Sequence, residues 1–181
     1  MLLHNGHDDL ADDDETRDRI FRHFLGAMHK SVEDGYTADI LPGVPEVLEY
    51  LGGDERAVLA LLTGNLKDGA RNKLRAAGLL RYFPERNFAY SAFGSDHCER
   101  DRLGFIALER LRQTFGELHP GNIWIVGDSV HDISCARASG FRVLAVASGT
   151  TPREVLAEKT PDILADELNC EMFQDILARA Q

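Results

Sequence analysis

Long apolar runs are missing from this chain. No stretch of the 181 residues approaches the roughly 18 consecutive apolar residues of a membrane helix. The start, "MLLHNGHDDL", has neither the cationic nor the apolar region of a secretory signal, so a cytoplasmic protein is expected. Cysteine is scarce: Cys98, Cys135 and Cys170 are odd in number, far apart and without C-x-x-C spacing. That pattern argues against a disulfide framework, a zinc site or a redox pair, and leaves reduced thiols. Positive charge is also short, with 20 Lys and Arg against 30 Asp and Glu for a formal net charge of -10. A sequence-independent grip on nucleic acid needs a basic footprint, and so does an anionic membrane surface, so neither is expected as a partner. A cationic or metal-neutralised ligand fits better. Internal repeats and low-complexity linkers are absent, and the length suits one domain, or a core with a small accessory lobe.

What is present begins with acid. "DDLADDDETRD" crowds seven carboxylates into eleven residues, the pattern of a solvated helix start, after which Ile20, Phe21, Phe24, Leu25 and Met28 recur at helical spacing. From Leu41 the texture changes to alternating short strands and helices. "LPGVPEVLEYLGG" reads as a turn and a short amphipathic helix, "AVLALLTGN" as a strand, and "LKDGARNKLRAAGL" as a helix closed by Gly78. There follow a strand at "NFAYS", a helix at "LGFIALERLRQTFG", the strand "IWIVG", the helix "HDISCARASG" and the strand "RVLAVAS". Helices at "PREVLAEK" and "EMFQDILARA" flank a short apolar stretch from Asp162 to Ala165. Strands joined through helices imply parallel pairing by right-handed crossovers, and hence a doubly wound α/β sheet. Ligands in such sheets sit beyond the carboxyl ends of the strands.

Three such ends carry chemistry. After "LALL" come Thr63, Gly64 and Asn65, which offer a hydroxyl and backbone N–H groups to a phosphate or carboxylate, or which simply cap the next helix. After "IWIV" come Gly127, Asp128 and Ser129, with Asp132 in the first turn beyond. Two carboxylates there suit Mg²⁺, although Asp is also a good cap. Between them, Arg100 and Arg102 precede a helix; either guanidinium is a bidentate donor for phosphate, or a solvated partner of Glu99 or Asp101. His131 has no assigned role, and Cys135 reads as core filling.

"LLTGN", the basic residue before "LGFIALERL", and "IVGDSVHDISCARASG" resemble, in order and spacing, the second, third and fourth motifs of the haloacid dehalogenase (HAD) superfamily. "RVLAVASGTTPREVL" and "LPGVPEVLEYL" are similar to its phosphoglycolate-phosphatase-like branch, and the resemblance runs from Leu41 to about Ala178. It implies a HAD-like Rossmannoid core at 40–181 and a partial helical cap at 1–39. Thr63 would bind the transferring phosphoryl group, helped by the backbone of Gly64 and Asn65. Asp128 would ligate Mg²⁺, and Asp132 would hold its outer sphere or a ligand water. The third motif is normally a Lys, and Arg100 stands in its place.

The resemblance also exposes a gap. Family members begin with an apolar strand ending in Asp-x-Asp-Gly-Thr or Ser, whose first Asp attacks phosphorus and whose second is general acid and base. No segment here matches, since Asp8 and Asp9 lack both the spacing and the turn. That strand lies between those carrying the second and fourth motifs, and removing it leaves its neighbours roughly 9 to 10 Å apart. Three explanations compete: an upstream segment absent from this sequence, a genuine pseudo-phosphatase, or a strand supplied by another chain. The expected function is a Mg²⁺-dependent phosphomonoester hydrolase acting on a small phosphorylated metabolite through an aspartyl-phosphate, with this chain alone inactive. The alternative is a non-catalytic protein that binds Mg²⁺ or a phosphorylated ligand.

Overall fold

A computed structural model describes residues 14–35 and 37–179 of the chain. In order, the first elements are α1 (Asp14–Glu33), α2 (Val44–Gly52), β1 (Leu62–Thr63), α3 (Lys67–Ala76), α4 (Glu85–Tyr90) and β2 (Ala92–Phe93). Then come α5 (Arg100–Phe115), β3 (Trp124–Gly127), α6 (Val130–Ser139), β4 (Arg142–Val146), α7 (Arg153–Glu158), β5 (Ile163–Ala165) and α8 (Cys170–Arg179). The acid run up to Asp13 lies outside the described residues, as does the start at Met1.

Strand β4 organises the larger half. Its residues Val143, Leu144, Ala145 and Val146 are all buried, as expected of a parallel strand covered on both faces. Alternation sends Val143 and Ala145 to a cluster with Leu108, Ile133, Cys135 and Leu156, from α5, α6 and α7. Leu144 and Val146 face the other way, toward Val47 of α2 and Phe173 of α8. The layers are therefore helix, sheet, helix, in the order β3-β4-β5 with all pairs parallel. Capping shapes the turns: Ser129 opens α6, and Gly140 closes it in the left-handed conformation at φ 71.

The second piece of sheet is the parallel pair β1-β2, with Leu62 opposite Ala92 and Thr63 opposite Phe93. No ladder joins β1 to β3 among the described residues. Helix α5 packs against β1 and β2 and also against α6, and Leu62 reaches the cluster around Ile125. The two pieces thus share a core without sharing a ladder among the described residues.

One sequence expectation fails here. "NFAYS" is not a strand: Asn87 to Tyr90 belong to α4, and pairing begins only at Ala92. Pro84 sits at the N-cap in extended conformation, and Glu85 occupies the first turn beside the positive end of the dipole. The helical turn lets Asn87 Nδ2 donate to Leu59 O at 2.7 Å and stacks Phe88 on Phe93 at 5.8 Å. A short apolar run cannot be assigned by periodicity alone, and tertiary contacts decided this one.

The loop after β2 is clamped. Arg110 donates through Nη1 and Nη2 to the two oxygens of Asp96, each at 2.8 Å, and through Nη1 to Ser91 O at 2.6 Å. Asp96 Oδ2 also accepts from Phe93 N at 2.9 Å. Helix α1 lies against α3, where a Cβ on Gly69 would stand 3.6 Å from the Met28 sulfur. Ile20, Phe21 and Phe24 of α1 remain exposed. No helix among the described residues is long and apolar enough to cross a membrane.

Two predictions test this account. A Cβ on Gly104 would meet Ser139 Oγ at 1.9 Å and Ser139 Cβ at 2.8 Å, whereas one on Gly26 meets nothing within 4 Å. Gly104→Ala should destabilise the fold by about 1–3 kcal/mol through overpacking. Gly26→Ala should stabilise it by about 0.5–1 kcal/mol through helix propensity. Urea midpoints measured on both variants decide the matter.

The second concerns pH. Hydrogen bonding from Arg110 holds the Asp96 carboxyl below its ordinary range, against the opposing effect of burial. A carboxylate depressed in the folded state stabilises fully above its unfolded value, about 3.9, and the contribution disappears as pH falls through the folded value. Arg110→Met should therefore be less stable than the wild type at neutral pH, with the difference shrinking on acidification. A difference constant from neutral to strongly acidic pH would mean that Arg110 acts through packing alone.

Candidate functional site

The turn after β1 is built from its own side chains. Thr63 Oγ1 accepts from Asn65 N at 3.1 Å and from Asn65 Nδ2 at 2.8 Å, and Lys73 Nζ donates to Asn65 Oδ1 at 3.0 Å. Neither Thr63 nor Asn65 caps α3, whose N-cap is Leu66 with no side-chain cap bond. The capping alternative read from the sequence is thus not what these two residues do. The turn also touches the loop after β2: Gly94 N donates to Asn65 O at 2.9 Å, and a Cβ on Gly94 would strike Gly64 O at 2.1 Å.

The turn after β3 carries the two acids in different roles. Asp132 is buried, and both its oxygens are engaged. Its Oδ2 accepts from Ser129 N at 3.1 Å and from Ser129 Oγ at 2.7 Å, closing a capping box on α6. Its Oδ1 accepts from Arg100 Nη2. The space for this carboxylate exists because residue 127 is glycine: a Cβ there would lie 2.3 Å from Asp132 Cγ. Asp128 faces the loop after β4 instead. Its Oδ2 accepts from Thr150 N at 3.4 Å, and a Cβ on Gly149 would lie 1.9 Å from that oxygen.

Arg100 opens α5 rather than preceding it, and it joins the two turns. Nη2 is held by Asp132, Nε is buried with no hydrogen-bond partner among the described residues, and Nη1 would lie 3.9 Å from a Cβ on Gly64. Its carbonyl accepts from Cys135 Sγ at 3.3 Å, and burial pushes that thiol above its ordinary range. Arg102 is exposed and pairs with Glu99 at 3.6 Å, away from Asp132. Of the two arginines read as alternatives, Arg100 reaches the strand ends. His131 is exposed.

The carboxyl ends of β1 and β3 therefore converge on one region. Thr63 supplies a hydroxyl, Arg100 a guanidinium with one arm held, and Asp128 a carboxylate whose Oδ1 has no hydrogen-bond partner among the described residues. A hydroxyl and a guanidinium can bind an anion, and a carboxylate can take a hard cation. No group of three or more His, Cys, Asp or Glu gathers among the described residues. The donor set still fits Mg²⁺, which is commonly held by one or two carboxylates with water and phosphate oxygens completing the octahedron. Sequence reading missed Lys73, Gly94, Ser129 and Thr150. Ser129 is legible in hindsight as Ser-x-x-Asp, a capping-box spacing. Lys73 and Thr150 carry no local signal.

Known proteins agree with this architecture. Residues 104–170 match the HAD-hydrolase-like family. A probable phosphatase, IndB, of Dickeya dadantii is 26% identical over 161 residues, covering 87% of this chain and 65% of that protein. A phosphoglycolate phosphatase of Mesorhizobium japonicum is 29% identical over 175 residues, covering 90% of this chain and 68% of that protein. The chain thus spans about two thirds of the length of these relatives. A predicted phosphoglycolate phosphatase from Haemophilus somnus has the same fold at TM-score 0.62 and 27% identity, over 92% of this chain and 66% of that one. A haloacid dehalogenase-like protein of Agrobacterium tumefaciens aligns at TM-score 0.59 and 19% identity, over 93% of this chain and 71% of that one, which bears on the fold alone. By family match, by relatives and by fold, the chain is similar to the HAD-like hydrolases, and among them to phosphatases.

Proposed function

We propose that the chain is the greater part of a Mg²⁺-dependent phosphomonoester hydrolase acting on a small phosphorylated metabolite. The observation that carries this reading is the junction of the Thr63 turn, Arg100 and the Asp128 turn at one end of the sheet. In this reading the Thr63 hydroxyl donates to a phosphoryl oxygen, and the free arm of Arg100 neutralises a second one. Asp128 and, behind it, Asp132 would hold Mg²⁺, which when bound supplies a Lewis acid for the phosphoryl oxygens. Asp132 also keeps Arg100 aimed. The phosphatase names of the relatives support the reaction class, and phosphoglycolate, from the second relative's name, is the first substrate to try.

The same proposal divides the chain into a partial helical cap at 1–39 and a core at 40–181, and adds a central strand between β1 and β3. The break in the sheet and the 40% exposure of Val126 on β3 support such a strand. It would bring the aspartate that attacks phosphorus, from outside the described residues. One observation favours a second reading, a pseudo-phosphatase: the site's carboxylates among the described residues are Asp128 and Asp132, and both oxygens of Asp132 are occupied.

Phosphate binding and turnover separate these readings. The 181-residue chain should bind inorganic phosphate in the presence of Mg²⁺ while releasing little phosphate from an aryl phosphate or phosphoglycolate. Thr63→Ala and Arg100→Ala should each weaken phosphate binding about tenfold, the scale of one lost hydrogen bond to a charged group. Robust turnover by the chain alone would sink the requirement for a further strand. Unchanged binding in both variants would sink the assignment of the site. Adding a peptide that ends in Asp-x-Asp-Gly-Thr and gaining turnover would count against the pseudo-phosphatase.

A further inference from the structure

We infer that Lys73 is a positioning residue for the Thr63 turn, fixing the Asn65 amide so that the Thr63 hydroxyl can only donate outward. This deepens the anion-site reading above and rests on it. A hydroxyl has one hydrogen to donate and two lone pairs with which to accept. In Thr63 both lone pairs are filled, one by Asn65 N at 3.1 Å and the other by Asn65 Nδ2 at 2.8 Å. Its hydrogen therefore points elsewhere, and it meets no acceptor among the described residues. An outward hydroxyl hydrogen is what an anion at the strand end requires.

That polarity depends on which way the Asn65 amide is turned. Rotated by half a turn, the amide would present Oδ1 to Thr63 Oγ1, and the hydroxyl would donate inward to it. The anion would then face lone pairs. Lys73 chooses between the two states: its ammonium only donates, and it meets Oδ1 at 3.0 Å from α3, eight residues along the chain. The order is Lys73 to Asn65 to Thr63, with each donor filling the next acceptor. Lys73 is exposed and sits in the last turn of α3, where a cation also meets the negative end of the helix dipole. A role confined to the dipole would leave the amide untouched, so the amide is the quantity to read.

The experiment uses the full 181-residue protein, labelled with ¹⁵N, as wild type and as Lys73→Arg, Lys73→Ala and Lys73→Glu. Contacts between the Asn65 side-chain amide protons and Thr63 report the orientation by NMR, and inorganic phosphate is titrated into each. Wild type and Lys73→Arg should show the amide hydrogens against Thr63. Lys73→Ala should lose the single orientation, and Lys73→Glu should invert it, because a carboxylate accepts from Nδ2. Phosphate affinity should fall about tenfold in Lys73→Glu and less in Lys73→Ala, on the scale of one misdirected charged hydrogen bond, with circular dichroism unchanged. An Asn65 amide in Lys73→Ala that matches the wild type overturns the inference. If the amide responds as expected while the wild type binds no phosphate, the control by Lys73 stands and the anion-site reading falls, so the two failures are distinguishable.

Discussion

The close approach of α5 to α6 is what makes one molecule of two pieces of sheet. Without a ladder between β1 and β3, register between the halves depends on a helix that touches both, and α5 does so. The seam is fastened along its length. Arg100 pairs with Asp132, Ser134 Oγ donates to Asp101 at 2.9 Å, Cys135 Sγ donates to the Arg100 carbonyl, and Gly104 lets Ser139 close in. Apolar packing alone would allow the helices to slide, whereas directional bonds at one end fix both rotation and height.

The Arg100–Asp132 pair is costly by itself, since Asp132 is buried and its charge has left water. Desolvation of that kind is offset only when the other lone pairs are satisfied. The capping box does this, using the same Ser129 that caps the start of the helix. One serine thus starts α6 and completes the solvation of the acid that holds Arg100. A structural device and a functional one share three side chains, and a change in any one of them would move the other two.

Part of this architecture is legible in the sequence alone. The alternation of strand and helix and the buried character of "RVLAV" follow from local pattern, because each is set by neighbours in sequence. Asp132 was read as a metal ligand or a cap, and it serves as the third residue of a capping box while also pairing with Arg100. The strand expected at "NFAYS" is helical, held there by Leu59, twenty-eight positions away, and by the stacking of Phe88 on Phe93. Lys73, Arg110 and Thr150 were invisible for the same reason. A lone basic residue on a helix looks solvated until its partner is known, and the Arg110–Asp96 pair spans fourteen positions.

The glycines at the strand ends show how tightly the site is assembled. None of Gly94, Gly127 and Gly149 has a positive φ, so turn geometry does not require glycine at these positions. Space does: a Cβ would strike Gly64 O, Asp132 or Asp128 respectively, each within 2.3 Å. Carboxylates that lie against backbone have little freedom to turn, so the acids keep their directions when water leaves and charge arrives. Directional rigidity matters most for a guanidinium shared between a carboxylate and an anion, because the two compete for the same donors. By keeping Asp132 on one arm of Arg100, the Gly127 contact leaves the other arm open toward Gly64. The same economy holds at Thr63, whose lone pairs are filled from within the turn so that its hydrogen is the group left over. In both cases internal bonds decide what remains to be offered outside, and the groups left over are donors.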